Sequence, residues 1–230
     1  MRRLNGFSLA EVLITLTIIG VIASLTLPTL NLNIQKQQMA PILAKSINNL
    51  ESANRMLLQE SHSRNLAQAC GIAVGDLTVD SYLTCMQGKN IMLLSNNSDT
   101  FTFSTHDLAE DIADLTCYDT NDRMSFCSTD VPQVADAVEG LPNQYYGKYL
   151  EMFVDVNGAS NKPNIIGKDV FLVHVDLKGS IMPYGGSATQ KYLEQESPLW
   201  ESECSSTTVT DGKACAGNIA DNGWKIEYSF

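Results

Sequence analysis

Basic residues are scarce in this sequence. Its 230 residues include 15 Lys and Arg against 26 Asp and Glu, which gives a formal net charge of -11. Between Asn96 and Gly140 there are ten acidic side chains and a single basic one, Arg123. Binding to nucleic acid depends on clustered cations that neutralise phosphates. We therefore expect no nucleic-acid partner, and the acidic stretch is best explained as a solvated surface.

The sequence also lacks the short motifs that mark common enzyme classes. It contains no G-x-S-x-G nucleophile turn, no glycine-rich phosphate loop and no H-E-x-x-H zinc motif. Its three histidines, His62, His106 and His174, are scattered along the chain. Four carboxylates have a spacing that would place them on one solvated helix face: Asp107, Glu110, Asp111 and Asp114. We therefore expect a non-enzymatic protein with no catalytic and no cofactor-binding residues.

Charge is absent from residues 12–35, which form a long apolar run. A helix rises about 1.5 Å per residue, so about 20 apolar residues cross the hydrocarbon core of a bilayer. The run predicts a membrane-spanning helix, with Arg2 and Arg3 held on the cytoplasmic side. A secretory signal peptide cut near Ala23 is the alternative, although the run is longer than the apolar part of an ordinary signal peptide.

One carboxylate, Glu11, stands at the start of this apolar run. A charged side chain costs roughly 3 kcal/mol near the bilayer centre, so an intramembrane carboxylate suggests a function and needs a partner. Cleavage after Gly6 would make Phe7 the new N-terminus, with a charged amine four residues before Glu11. That amine could neutralise Glu11 in the same subunit or in a neighbouring one.

The residues around this position resemble a known processing signal. Residues 6–14, with the sequence GFSLAEVLI, and the apolar run up to Leu30 resemble the class III leader of type IV pilins and type II secretion pseudopilins. The resemblance implies that a membrane aspartyl peptidase cuts between Gly6 and Phe7 and that Phe7 is then N-methylated. It also implies that Glu11 neutralises the N-terminus of a neighbouring subunit during filament assembly.

Beyond the anchor, apolar residues recur every three or four positions, which predicts that the helix continues as an amphipathic one. The members of this stripe are Met39, Leu43, Ile47, Leu50, Ala53 and Leu57. Pro28 and Pro41 each remove a backbone donor. A kink or local melting is expected at Pro28, where the helices of pilins also carry a proline. We expect the helix to end between Ser61 and Cys70.

The rest of the chain has the pattern of strands and loops. Segments rich in β-branched and aromatic residues predict strands at Tyr149–Val156 and Val170–Leu177, followed by another at Ser180–Tyr184. Strict alternation predicts a last strand from Trp224 to Phe230. Residues 187–222 are rich in Ser, Thr and Gly and predict an irregular loop. We expect three or four antiparallel strands packed on the amphipathic half of the helix.

The even number of cysteines is typical of an exported, oxidised domain. Six cysteines allow many pairings, and the sequence cannot choose between them. The simplest hypothesis is sequential pairing, in which each disulfide closes a short loop: Cys70 with Cys85, Cys117 with Cys127, and Cys204 with Cys215. A zinc site is disfavoured because there is no C-x-x-C motif and no histidine at ligand spacing.

The loop between the two longest predicted strands offers carboxylate and amide oxygens, which suit Ca²⁺. If an ion binds, we expect Asp155, Asn157 and Asp169 to be its ligands. The loop resembles an Asp-x-Asn-Gly…Pro-Asn…Gly-x-Asp-x-Phe stretch of pseudopilin-like proteins, some of whose relatives bind Ca²⁺ near the C-terminal strands. It lacks the register of an EF-hand. An Asn-Gly hairpin with Asx turns and no ion is the simpler explanation.

Together these patterns predict an α+β protein of the type IV pilin-like class. A long N-terminal α-helix, membrane-spanning in its first half and amphipathic in its second, would pack on a small antiparallel β-sheet with disulfide-bounded loops. The expected segments are a leader peptide at 1–6, a transmembrane or filament-core helix at 7–30, an amphipathic helix at 31–69 and a globular domain at 70–230.

The expected function is that of a structural subunit, processed by a prepilin peptidase and assembled into a type IV pilus or pilus-like filament. Two alternatives stay open: a pseudopilin of a type II secretion system, and a membrane-tethered extracytoplasmic binding protein that does not polymerise. The expected partners are copies of the chain, other pilins or pseudopilins, the peptidase and methyltransferase, and an inner-membrane assembly platform. The subunit would cross the inner membrane once, with its C-terminal domain extracytoplasmic, before entering a periplasmic or cell-surface filament.

Overall fold

A computed structural model describes residues 8–128, 149–193 and 197–228. The chain divides into two compact units, residues 1–38 and residues 39–230. The first unit contains the apolar half of a long helix. The second contains the rest of that helix together with a β-sheet, short helices and three disulfides.

The long helix, α1, runs from Leu9 to Glu60. It is helical through Pro28 and Pro41, so local melting, one of the two outcomes expected at Pro28, is wrong. The other outcome, a kink, stays a prediction. Its last residue lies one position before the range in which we expected it to end. The amide of Ser61 still donates to the carbonyl oxygen of Leu57 at 3.1 Å, which closes the last turn.

The amphipathic stripe of α1 faces the core of the second unit, as predicted. Its members are buried, apart from Met39, which is partly buried. They pack in one apolar cluster with residues of the sheet and of the short helices. Burial of this stripe stabilises the second half of α1 far more than helix propensity alone could, because most helical stability in proteins comes from tertiary packing.

Six strands form one antiparallel sheet in which each strand pairs with the next along the chain. They are β1 Leu94–Ser104, β2 Asp111–Thr120, β3 Ser125–Ser128, β4 Tyr149–Asp155, β5 Val170–Asp176 and β6 Ile181–Pro183. The three strands predicted between residues 149 and 184 are confirmed. The sheet is larger than the predicted three or four strands because β1, β2 and β3 come from the segment that precedes them.

Both faces of the sheet are covered around β5, whose seven residues are all buried. Alternation along a strand sends successive side chains to opposite faces. Phe171, Val173 and Val175 join the cluster that contains the α1 stripe. Val170 and Leu172 join a second cluster with apolar residues of β1, β2, β3 and β4. Burial on both faces explains why apolar residues occupy positions of both parities along β5.

The described part of the second unit also contains five short α-helices and a 3-10 helix at Val74–Asp76. The α-helices are α2 Leu66–Cys70, α3 Val79–Gly88, α4 Ser187–Leu193, α5 Trp200–Glu203 and α6 Cys215–Asp221. The last three lie in residues 187–222, where an irregular loop was expected, so that expectation is wrong. α6 is held by tertiary contacts rather than by a helical sequence pattern: Cys215 is bonded to Cys204, and Gly217 packs against Gly186.

The predicted last strand is also wrong over the residues described there, Trp224 to Tyr228, which are not part of the sheet. Gly223 and Trp224 both have positive φ, and the amide of Trp224 donates to the carbonyl oxygen of Ile219 at 2.8 Å. This is the geometry of a helix C-terminus. Alternate residues nevertheless face the core: Trp224 and Ile226 are partly buried and Tyr228 is fully buried. Alternating burial therefore does not require strand pairing.

The six cysteines form three disulfides, Cys70–Cys85, Cys117–Cys127 and Cys204–Cys215. This is the sequential pairing that the sequence suggested. The first joins α2 to α3, the second joins two directly opposed residues of β2 and β3, and the third joins the end of α5 to the start of α6. Each disulfide therefore fixes two neighbouring elements.

Candidate functional site

The start of α1 is built around Glu11. The Ser8 amide and hydroxyl donate to Glu11 Oε2 at 2.9 and 2.8 Å. The amide of Glu11 approaches Ser8 Oγ at 3.3 Å. Reciprocal bonds of this kind form a capping box, which satisfies amide groups that have no partner at the start of a helix. Sequence reasoning missed this role, although the spacing S-x-x-E is its known signal.

Around Glu11 and C-terminal to it, the helix exposes an apolar surface. Residues Leu9–Thr26 form a helix long and apolar enough to span a membrane, and none of this stretch is buried within the chain. Its large side chains are at least two-fifths exposed: Leu9, Val12, Leu13, Ile14, Leu16, Ile18, Ile19, Val21, Ile22 and Leu25. Apolar area costs about 25 cal/mol per Å² when it faces water. This surface therefore needs lipid or another apolar surface against it.

The predicted cleavage point between Gly6 and Phe7 lies outside the described residues, which begin at Ser8. Residues 1–27 match the family model of the prokaryotic N-terminal methylation motif. The chain carries a class III prepilin leader. This motif, together with the apolar helix that follows it, is consistent with the type IV pilin-like family. Neither a curated protein nor a solved structure matches the chain at a significant level.

A second candidate site is the loop between β4 and β5, where two buried carboxylates organise the backbone. Asp155 Oδ1 accepts from the amides of Asn157 and Gly158 at 3.0 and 2.9 Å. Asp169 Oδ2 accepts from the Asn164 amide at 2.9 Å and from Asn157 Nδ2 at 3.1 Å. Asp169 Oδ1 accepts from the amide of Ile165 at 2.8 Å. The two carboxylates thus hold the loop closed by accepting its own N–H groups.

Three buried oxygens of this loop have no hydrogen-bond partner: Asp155 Oδ2, Asn157 Oδ1 and Asn164 Oδ1. A buried acceptor left unpaired costs about 1–3 kcal/mol. Burial, with a further contribution from the Asp169 charge, raises the pKa of Asp155 to about 8. Burial also raises the pKa of Asp169. A cation would serve the unpaired oxygens and neutralise the carboxylates at the same time.

The side-chain oxygens of this loop meet part of the requirements of a hard cation. Ca²⁺ takes 6–8 oxygen ligands, commonly completed by water. Asp155 and Asn157 offer oxygens with no partner, as expected for ligands, whereas both oxygens of Asp169 already accept N–H groups. Asn164 was not expected as a ligand, although its Pro-Asn pair is part of the stretch that resembles pseudopilin-like proteins. Within the described residues no group of three His, Cys, Asp or Glu could hold a metal.

The carboxylates expected on one helix face do not lie on a helix. Asp107 and Glu110 lie in the turn between β1 and β2, and Asp111 and Asp114 lie in β2. Asp107 Oδ1 accepts from the Thr105 hydroxyl at 2.7 Å and from the Ala109 amide at 3.1 Å, which is an Asx-type turn. The helical interpretation is therefore wrong because a local side-chain turn competes with the helix.

Proposed function

We propose that the chain is a prepilin-type structural subunit, cut between Gly6 and Phe7, methylated on Phe7 and assembled through α1 into a type IV pilus or pilus-like filament. The main support for the proposal is that the residues matching the methylation motif also form the start of a helix with an exposed apolar surface. In lipid that surface is solvated by acyl chains. In a filament, the same surface would pack against the helices of other copies.

In this proposal, the pairing of Glu11 with a positive charge determines the register in which subunits pack in the filament. The Ser8 cap holds the carboxylate at the first turn of α1 without supplying a positive charge. The charged amine of Phe7, from its own or a neighbouring subunit, would supply it. Removing one partner of a buried ion pair costs about 3–5 kcal/mol. A subunit that enters out of register would leave Glu11 unpaired in an apolar core and would be rejected.

The proposal includes a location and partners. Before assembly the subunit would cross the inner membrane once through α1, with Arg2 and Arg3 on the cytoplasmic side and the second unit outside. The disulfides support an oxidising compartment for that unit. Its partners would be other copies or other pilins, the prepilin peptidase and methyltransferase, and an assembly platform.

Two variants of Glu11 separate its charge from its cap. Glu11→Ala removes both, whereas Glu11→Gln keeps an oxygen that can accept from Ser8 but carries no charge. We expect both variants to be processed at Gly6 and to be depleted from the sheared filament fraction. Normal incorporation of Glu11→Gln would show that the cap, and not charge pairing, is what assembly requires. Normal incorporation of Glu11→Ala would refute any role of Glu11 in assembly.

A pseudopilin of a type II secretion system is the alternative with the same leader. The loop from Asp155 to Phe171 favours a pseudopilin, and the disulfide-rich C-terminal region favours a surface-exposed pilin. Abundant surface filaments would identify a pilin, and a secretion defect without such filaments would identify a pseudopilin. A membrane-tethered binding protein that never polymerises would instead keep the Gly6–Phe7 bond and tolerate loss of Glu11.

We further propose that the β4–β5 loop binds Ca²⁺ through Asp155 and Asn157, with Asn164 as an additional ligand and Asp169 as the residue that positions the loop. The unpaired buried oxygens support this assignment. A bound ion would neutralise the two carboxylates and fix the loop between the strands. No catalytic step is assigned to it.

The test is the urea midpoint of the oxidised full chain in detergent micelles, with Ca²⁺ or with chelator. At a Ca²⁺ concentration 100 times the dissociation constant, we expect stabilisation of about 2.7 kcal/mol. Asp155→Asn should remove the shift, and the matched control Asp99→Asn, on the exposed edge strand β1, should keep it. An unchanged midpoint in the wild-type chain would contradict the proposal, as would an equal shift in Asp155→Asn.

A further inference from the structure

A polar cavity of about 240 Å³ lies where the turn between β2 and β3 meets the β4–β5 loop. The residues that line it are Asp119, Thr120, Arg123, Gly158, Ser160 and Asn161. Gly158 has a φ of 91°, and a Cβ there would lie 2.7 Å from the carbonyl oxygen of Arg123. Glycine therefore lets the loop approach the turn closely. Pockets for drug-sized ligands measure about 300–1,000 Å³, so this cavity suits a smaller molecule.

Arg123 is an unexpected residue for the turn that carries it. Its φ is 66°, in the left-handed region that favours glycine. It is exposed, and it is the single basic residue between Asn96 and Gly140. A residue with a Cβ is costly at this φ, so the geometry of the turn gives no reason for an arginine. The reason is sought in the guanidinium group that it brings to the cavity.

That guanidinium forms no ion pair with any carboxylate of the described residues. Two aspartates lie near Arg123 in sequence, but each already accepts a hydrogen bond within the chain. Asp122 Oδ2 accepts from Lys45 Nζ at 2.7 Å. Asp119 Oδ1 accepts from the hydroxyl of Ser125 at 2.5 Å. The guanidinium therefore keeps its N–H donors for a group that enters the cavity.

The loop side of the cavity offers acceptors. Asn161 Nδ2 donates to the carbonyl oxygen of Asn157 at 2.6 Å. The side-chain oxygen, Oδ1, is then the atom that this amide can offer to a ligand. Ser160 is exposed, and its hydroxyl can both donate and accept. A complementary molecule therefore needs an anionic group for Arg123 and hydroxyl groups for the other wall.

We propose that this cavity binds a sugar acid, whose carboxylate pairs with Arg123 and whose hydroxyl groups bond to Ser160 and Asn161. A guanidinium matches the two oxygens of a carboxylate with parallel N–H donors. One guanidinium balances one negative charge, and Asp119 would repel the second charge of a phosphate monoester. The site lies in the second unit and does not depend on assembly through α1.

The probe for this site is D-galacturonate, and D-galactose, which has a hydroxymethyl group in place of the carboxylate, is the matched ligand. Binding is followed by the amide NMR signals of Ser160 and Asn161 in the oxidised full chain in detergent micelles. Chelator is present, so that no divalent cation bridges ligand and protein. We expect a saturable shift with galacturonate. The affinity for galactose should be lower by about tenfold or more, because a charged hydrogen-bonded pair is lost.

Arg123→Gly is the central variant. Glycine accepts the positive φ of this position, so the turn is kept while the guanidinium is lost. We expect this variant to retain the amide spectrum of the rest of the second unit and to lose the saturable shift. Arg55→Gln is the matched control, since it removes one positive charge from a side chain of α1 that is 68% exposed. It should bind as wild type does.

The proposal is overturned by any of four results: no saturable shift in the wild-type chain, equal affinities for the two probes, unchanged binding by Arg123→Gly, or an equal loss in Arg55→Gln. The trimer of galacturonate separates two sources of the same ligand chemistry. Tighter binding of the trimer, abolished in Arg123→Gly, would identify an acidic polysaccharide as the source. Equal affinity of monomer and trimer would identify a free sugar acid.

Discussion

Tyr82 Oη donates to Asn54 Oδ1 at 2.5 Å, and both side chains are fully buried. Asn54 Nδ2 donates in turn to the carbonyl oxygen of Gly179, at 2.9 Å, in the turn between β5 and β6. One amide of α1 therefore ties the helix to both α3 and the sheet. Apolar packing tolerates sliding, whereas this pair of directional bonds fixes the register of the second half of α1 against α3 and the β5–β6 turn.

Loss of the Asn54 amide should destabilise the second unit. Asn54→Ala leaves the Tyr82 hydroxyl and the Gly179 carbonyl unpaired in the core. Each unpaired group costs about 1–3 kcal/mol of stability. The free energy of unfolding, measured by urea titration of the oxidised chain in micelles, should fall accordingly. Asn48→Ala, on the exposed face of the same helix, is the matched control. A loss for Asn54→Ala no larger than that of the control would show that the pair does not fix the helix.

A methyl group added at Gly217 should also destabilise the fold. A Cβ there would overlap the backbone of Gly185 and Gly186, where α6 lies against the turn after β6. The Gly217 amide donates to the carbonyl oxygen of Tyr184 at 2.8 Å, which leaves little freedom to move apart. We expect Gly217→Ala to lower the free energy of unfolding by about 1–3 kcal/mol, as overpacking does.

The matched control for Gly217 is Gly88, the last residue of α3. A Cβ at Gly88 meets nothing within 4 Å. Gly88→Ala should therefore be neutral or stabilise the chain by up to about 1 kcal/mol, the usual gain from alanine in a helix. Equal effects of the two substitutions on the urea midpoint would contradict the close packing of α6.

Stability in the presence of chelator should fall as the pH rises from about 4 to about 8. The pKa of Asp155 is raised to about 8 by burial, then by Asp169, whereas an unfolded Asp titrates near about 3.9. Between these values the folded chain binds more protons than the unfolded chain, so the free energy of unfolding decreases with rising pH. Below about pH 4 Asp155 is protonated in both the folded and the unfolded chain, and its full contribution to the free energy of unfolding is retained.

Asp155→Asn should flatten this pH dependence, measured as the urea midpoint between pH 4 and pH 8. Part of the slope should remain, because burial also raises the pKa of Asp169 and of Asp176. Asp99→Asn, an exposed position on the edge strand β1, should behave as wild type. A wild-type midpoint that rises over this interval would show that Asp155 is not the buried, protonated group described above.

Periodic burial made part of the fold predictable. The α1 stripe was found from sequence because its side chains follow the spacing of the surface that they cover. Strands β4 and β5, with β6 directly after them, were found because they are rich in β-branched and aromatic residues. β1 and β2 were missed, since many of their residues are polar, acidic and exposed. α6 was missed because its position depends on a disulfide and on contact between glycines far apart in the sequence.

The candidate sites were predictable to different degrees. Glu11 was found because a carboxylate in an apolar run is costly, but its local partner, Ser8, was overlooked in favour of the charged amine of Phe7. Asp155 and Asn157 were singled out by residue type. The unpaired oxygen of Asn164 follows from the path of the loop backbone, which brings that residue to Asp169, and no spacing rule in the sequence predicts it.

The central claim, that the chain is processed as a prepilin, is tested most directly by intact mass and N-terminal peptide mapping of the protein from its native membrane or sheared surface fraction. The account predicts a mature chain that starts at N-methylated Phe7. A chain that retains Met1, or one cut beyond Ala23, would contradict it and would leave Glu11 with the Ser8 cap as its one assigned role.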